Sequence, residues 1–63
     1  MEYVIYSGTG RTAKHYKFIG RTLSRYDANF IAQELNRKGL NVYTLTYYSN
    51  GATRGNYSYA AHV

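Results

Sequence analysis

The residues of this chain that can do chemistry are cationic and aromatic. Arg11, Lys14, Lys17, Arg21 and Arg25 fall within fifteen residues that contain no acid, with His15 among them. Cationic donors spread along such a stretch suit phosphate oxygens, and exposed aromatic faces beside them suit bases. Tyr6 and Tyr48 are the tyrosines expected to stand beside these cations, on the open face of a sheet. The alternative reading is a solvated cationic edge that deters strand-to-strand aggregation. A second cluster has helical spacing: Tyr26, Phe30, Gln33 and Arg37 align on one stripe. Aromatics with a neighbouring Arg are enriched at protein contacts. Here the alternatives are that the C-terminal segment, with Tyr57 and Tyr59, folds over the stripe, or that the aromatics are a plain i,i+4 surface pair.

Catalytic chemistry has little to work with. General acid–base catalysis needs paired titratable groups in a concave site. The only acids are Glu2, Asp27 and Glu34, and there is no cysteine nucleophile or disulfide. His15 and His62 have no cysteine companions, so no metal site is expected. A ligand pocket of about 300 Å³ or more is hard to carve from so thin a domain. The expectation is a non-enzyme with no cofactor and no small-molecule substrate.

The Thr9-Gly10-Arg11-Thr12 stretch after the first apolar segment resembles the phosphate loop of flavodoxins. That resemblance would imply a loop cradling a flavin phosphate. It covers only these few residues, one short of the motif, and a flavodoxin loop opens a helix where this one is followed by strand-forming residues. Gly8-x-Gly10-x-x-Ala13 is similar to a weak dinucleotide fingerprint, which also requires a helix directly after it. A chain of 63 residues cannot build either doubly wound fold. The stretch reads as a hairpin tip, whose backbone amides can still help to hold a phosphate.

The elements that position these groups follow from pattern. Residues 2–6 and 14–19 are β-branched and aromatic and predict two antiparallel strands, the second ended by Gly20. Ser24 with Asp27 resembles a capping box; Arg37 and Lys38 suit the last turn and Gly39 the stop, which predicts a helix over 25–38. Residues 41–48 predict a third strand, 49–56 a loop, and 57–61 a short fourth strand or an ordered tail. The fold class is α+β: β-β-α-β over residues 1–63 as a single domain, with one helix on one face of a three- or four-stranded, mainly antiparallel sheet in the order 2-1-3. Ala28, Ile31, Ala32 and Leu35 share the helix face turned to the sheet. Opposite them are expected Tyr3 and Ile5, Tyr16 and Phe18, and Tyr43, Leu45 and Tyr47.

Composition sets the class of partner. Eight Lys and Arg against three acids give a net charge of +5, which favours nucleic acid, a nucleoprotein or an acidic protein surface. Four leucines, three isoleucines and three valines are few for a core, and nine tyrosines supply the bulk. Tyrosine suits a core lying close to water. Self-association as a homodimer would relieve the small core. No apolar run is long enough to span a membrane, and the chain opens directly into a strand pattern, so an intracellular (cytoplasmic) protein is expected. Two functions from different classes follow. One is a small basic module that binds nucleic acid or a nucleoprotein. The other is a compact protein-binding modulator, like the short single-domain inhibitors made by phages and mobile elements.

Overall fold

The helix ends are where local sequence and structure agree most closely. In the computed structural model, which describes residues 1–60, helix α1 runs Arg25–Arg37. Ser24 is its N-cap, and the Asp27 amide donates to the Ser24 hydroxyl at 3.2 Å. The return bond of a capping box goes elsewhere: the Ser24 amide donates to the Thr22 hydroxyl at 3.0 Å. At the other end, the Gly39 amide donates to the Asn36 carbonyl and the Leu40 amide to the Leu35 carbonyl, each at 3.0 Å. That pair of bonds is a Schellman motif, and Leu40 is folded back as expected.

Four strands accompany the helix. They are β1 (Glu2–Gly8), β2 (Lys17–Thr22), β3 (Asn41–Tyr47) and β4 (Thr53–Ser58), with a 3₁₀ turn at Ala13–His15 ahead of β2. They form one sheet in the order β2-β1-β3-β4. Every neighbouring pair is antiparallel. The molecule is therefore one helix on a four-stranded antiparallel sheet, the α+β class expected. The central place of β1 and the 2-1-3 order also hold. β2 and β3 both oppose β1, so they run parallel to each other, and α1 is the crossover between them.

The largest boundary differences from the pattern reading are in β2 and β4. β2 begins at Lys17 rather than residue 14, because Lys14 and His15 lie in the 3₁₀ turn. Gly20 does not end this strand. It pairs with Ile5, and Ile19 is an extra residue between the partners of Ile5 and Tyr6, so β2 carries a bulge there. β4 starts at Thr53, inside the stretch read as a loop, and ends at Ser58; the last residue of the expected 57–61 segment lies outside the described residues. Between β3 and β4, the Tyr48 amide donates to the Ala52 carbonyl at 2.9 Å and closes a hairpin loop of Ser49-Asn50-Gly51. Gly51 takes φ +89°, the left-handed position that a three-residue hairpin loop requires. Thr-Arg-Gly-Asn is poor strand sequence, and pairing with β3 overrides its propensity.

The helix side of the sheet holds the core. Tyr3, Ile5, Val42 and Ala28 form its buried cluster, with Ile31, Ala32 and Leu35 packed on it. Ile5 and Val42 are fully buried, each contributing about 1.5–3 kcal/mol. This confirms the helix face read from the periodicity, and two of its expected partners, Tyr3 and Ile5. The others must be corrected. Register places Val42, Thr44 and Thr46 beside Ser7, Ile5 and Tyr3, so the helix lies over the Val/Thr/Thr side of β3. Tyr43, Leu45 and Tyr47 are on the far side, and Phe18, paired with Tyr6, is there too. The reason is size. Under the helix the Tyr3 ring and Ile5 of β1 take up most of the space beside Ala28, and the smaller Val42, Thr44 and Thr46 of β3 complete the packing.

Candidate nucleic-acid interface

The far side of the sheet carries a continuous aromatic row. Phe18, Tyr6, Tyr43 and Tyr57 are cross-strand partners in turn, one from each strand. Neighbouring rings contact each other along its whole length. Tyr6 and Phe18 meet edge-on with centroids 6.0 Å apart. Tyr6 and Tyr43 are tilted at 6.2 Å, and Tyr43 and Tyr57 at 4.8 Å. Three inter-strand steps of about 4.8 Å make the row roughly 14 Å long. Beyond β4 it turns along the chain, where Tyr59 stacks parallel to Tyr57 at 5.9 Å.

Backbone details allow this row to form. On β4, the residue next to the Tyr43 ring is Gly55, and any Cβ there would overlap the Tyr43 hydroxyl and ring carbons. Glycine at 55 thus lets the ring lie flat across the edge strand, an aromatic cover for an edge glycine. Tyr16 stands edge-on to Tyr57 at 6.3 Å and donates its hydroxyl proton to the Gly10 carbonyl at 2.7 Å. The Asn41 amide group donates to the same carbonyl, and its oxygen accepts from the Ala60 amide, both at 2.9 Å. Asn41 therefore holds the glycine loop and the segment after β4 together. The consequence is that Arg11, at the loop tip, lies over the Tyr59 ring at 5.2 Å. A guanidinium on a ring face is a cation–π contact, and here it sets one positive charge at the end of the row.

The sequence-predicted residues separate in space. Tyr6 is in the row. Tyr48 is not, which corrects its expected place on the open face: it continues the Thr44/Thr46 side of β3 and lines a groove on the helix side. Arg11 joins the row. Lys14 is exposed in the 3₁₀ turn that follows the loop. Lys17 pairs with Ser7 on the helix side of β2. Arg21 is on the open face but sits 3.6 Å from Glu2. Arg25 opens the helix and lines the groove. The five cations thus do not share one edge. Phe18, Tyr43, Tyr57 and Tyr59 also belong to this face, although the strand pattern alone places Phe18 and Tyr43 under the helix; strand register, which the local sequence does not carry, decides it.

Tyr26 and Phe30 point away from the sheet, 88% and 61% exposed. They line a shallow cleft with Arg25, Asn29 and Gln33. Arg37 is exposed at the end of the stripe, 3.5 Å from Glu34. Tyr57 and Tyr59 belong to the opposite side of the sheet, so they do not cover this stripe. No family model, curated protein or solved structure matches the chain. Among the described residues there is no cluster of metal-ligating side chains, and no helix is long and apolar enough to cross a membrane.

Proposed function

We propose that the protein is a non-catalytic binding module for single-stranded nucleic acid, with the open sheet face as its platform. The observation that carries this reading is the unbroken row Phe18–Tyr6–Tyr43–Tyr57–Tyr59, ended by Arg11. A four-stranded sheet with a helix behind and aromatics in front is an arrangement used to stack two or three unpaired bases. Every base has a π-face, so such a platform tolerates many sequences. Arg11 and Lys14 supply cations at one end, and Arg21 adds a third through an exposed ion pair worth little to stability and readily exchanged. The phosphate contribution comes from a few residues rather than from a rail of five.

Titration of fluorescently labelled oligouridine and oligothymidine against the pure protein tests this. Single strands should bind, and a duplex of equal length should bind at least about tenfold more weakly, because paired bases are not free to stack. Equal affinity for duplex and single strand rules the platform out.

A second reading has its own observation. Leu23, Tyr26 and Phe30 are all strongly exposed at the start of the helix, and exposed apolar residues grouped in this way mark protein contacts. On this reading the chain binds a larger protein, or a second copy of itself, through the helix stripe. Phe30→Ala then abolishes the complex while the fold survives.

A further inference from the structure

The helix side of the sheet has a cavity that the domain's thinness argued against. α1 lies over β1 and its neighbours, while β4 extends the sheet past the helix and leaves a groove of about 710 Å³ between them. Its charge is one-sided. Arg25 enters from the helix wall and Arg54 from β4, and none of the three acids lines it. The ion pairs among the described residues occupy Arg21 and Arg37 instead. Asn29 and Gln33 on the helix and Asn56 on β4 add neutral amide donors and acceptors. Thr46, 5% exposed, lines the groove, and its hydroxyl makes no hydrogen bond among the described residues. No fully buried side-chain oxygen or nitrogen there lacks a partner, so the Thr46 hydroxyl retains access to the groove.

We propose that this groove is a second site, for a small hydroxyl-rich molecule carrying a monophosphate, of sugar-phosphate class. Two guanidinium groups from opposite walls fit the oxygens of a phosphate, which they bind through paired, charge-assisted hydrogen bonds. The carboxamides and the Thr46 hydroxyl both donate and accept, which suits sugar hydroxyls. The volume is within the range of small-molecule sites. Tyr57 borders this groove as well as standing in the aromatic row, but the arginines and carboxamides that define the site are not in the row, and the proposal does not rest on the stacking reading.

The test is amide-resolved NMR of the full chain titrated with ribose 5-phosphate, with ribose and inorganic phosphate as comparisons. Ribose 5-phosphate has no base and so cannot stack on the tyrosine row. It should give saturable shifts at Arg25, Asn29, Gln33, Arg54 and Asn56, and ribose should give none. Arg54→Gln should weaken binding about tenfold or more, the loss expected for a charged hydrogen bond, with Arg25→Gln as the matching change on the opposite wall. Arg37→Gln should leave it unchanged. The absence of saturable shifts overturns the proposal, as does equal weakening by Arg37→Gln. Inorganic phosphate binding as tightly as ribose 5-phosphate overturns the sugar-phosphate assignment.

Discussion

The open sheet face and the outer helix stripe expose the same kinds of residue in different ways. On the sheet, each ring is held by the next, at centroid distances between 4.8 and 6.3 Å. On the helix, Tyr26 and Phe30 have no ring contact among the described residues, and Tyr26 is almost fully free. A side chain already held in place loses little rotamer entropy when a ligand arrives, whereas a free one loses about 0.5–1.5 kcal/mol. The row is thus preorganised for a flat ligand. The stripe has to be ordered by a shaped partner. Exposure alone does not separate these two surfaces; mutual support does.

The sharpest way to break the comparison is to remove rings from each surface in turn. Tyr57→Ala with Tyr59→Ala should lower oligonucleotide affinity by roughly one hundredfold, since stacking is worth about 1–3 kcal/mol per base. Tyr26→Ala with Phe30→Ala should leave it within about twofold, because single-strand binding follows the stacking faces. If the helix pair matters as much as the sheet pair, the distinction is wrong. Fluorescence titration of the two double variants beside the parent protein decides it.

A subtler change acts on the support itself. Gly55→Val puts a side chain where the Tyr43 ring lies. Overpacking of this kind costs about 1–3 kcal/mol. It should lower both stability in urea and oligonucleotide affinity, while leaving the helix stripe intact. Native affinity in a folded Gly55→Val protein would show that the flat placement of Tyr43 is irrelevant.

Smaller effects are expected on the helix. Ser24→Ala removes the acceptor of the Asp27 amide and should cost about 1 kcal/mol, lowering Tm by roughly 4–8 °C for a domain of this size. Phe30→Ala should change stability by no more than about 0.5 kcal/mol, the usual result for a surface side chain. Thermal unfolding followed by circular dichroism checks both. A large loss at Phe30 would mean that the stripe is part of the fold rather than a surface.

Much of the architecture was legible in the chain. The capping serine, Gly39 and the Ala28/Ile31/Ala32/Leu35 spacing all act within a few residues, and the structure repeats them with the helix end shifted by one position. β4 was less legible, because Thr53-Arg54-Gly55-Asn56 has no strand pattern and owes its conformation to β3. The candidate site was read least well. In β3, Asn-Val-Tyr-Thr-Leu-Thr-Tyr offers a bulky side and a small side, and hydrophobicity alone favours burying the bulky one. The structure buries the small one under the helix.

Sequence by itself determined where the helix starts and stops, which of its faces is apolar, that three strand-forming segments surround it, and that the molecule is strongly basic. Those properties depend on local backbone preferences and composition. Only the tertiary structure decided which side of each strand meets the helix, and with it the aromatic row, the scattering of the five cations and the groove beside β4. A strand's side chains alternate, so one register choice exchanges its two faces entirely. The choice was made by how the side chains of β1 and β3 share the space under the helix, a property of the assembled layers that no single segment contains.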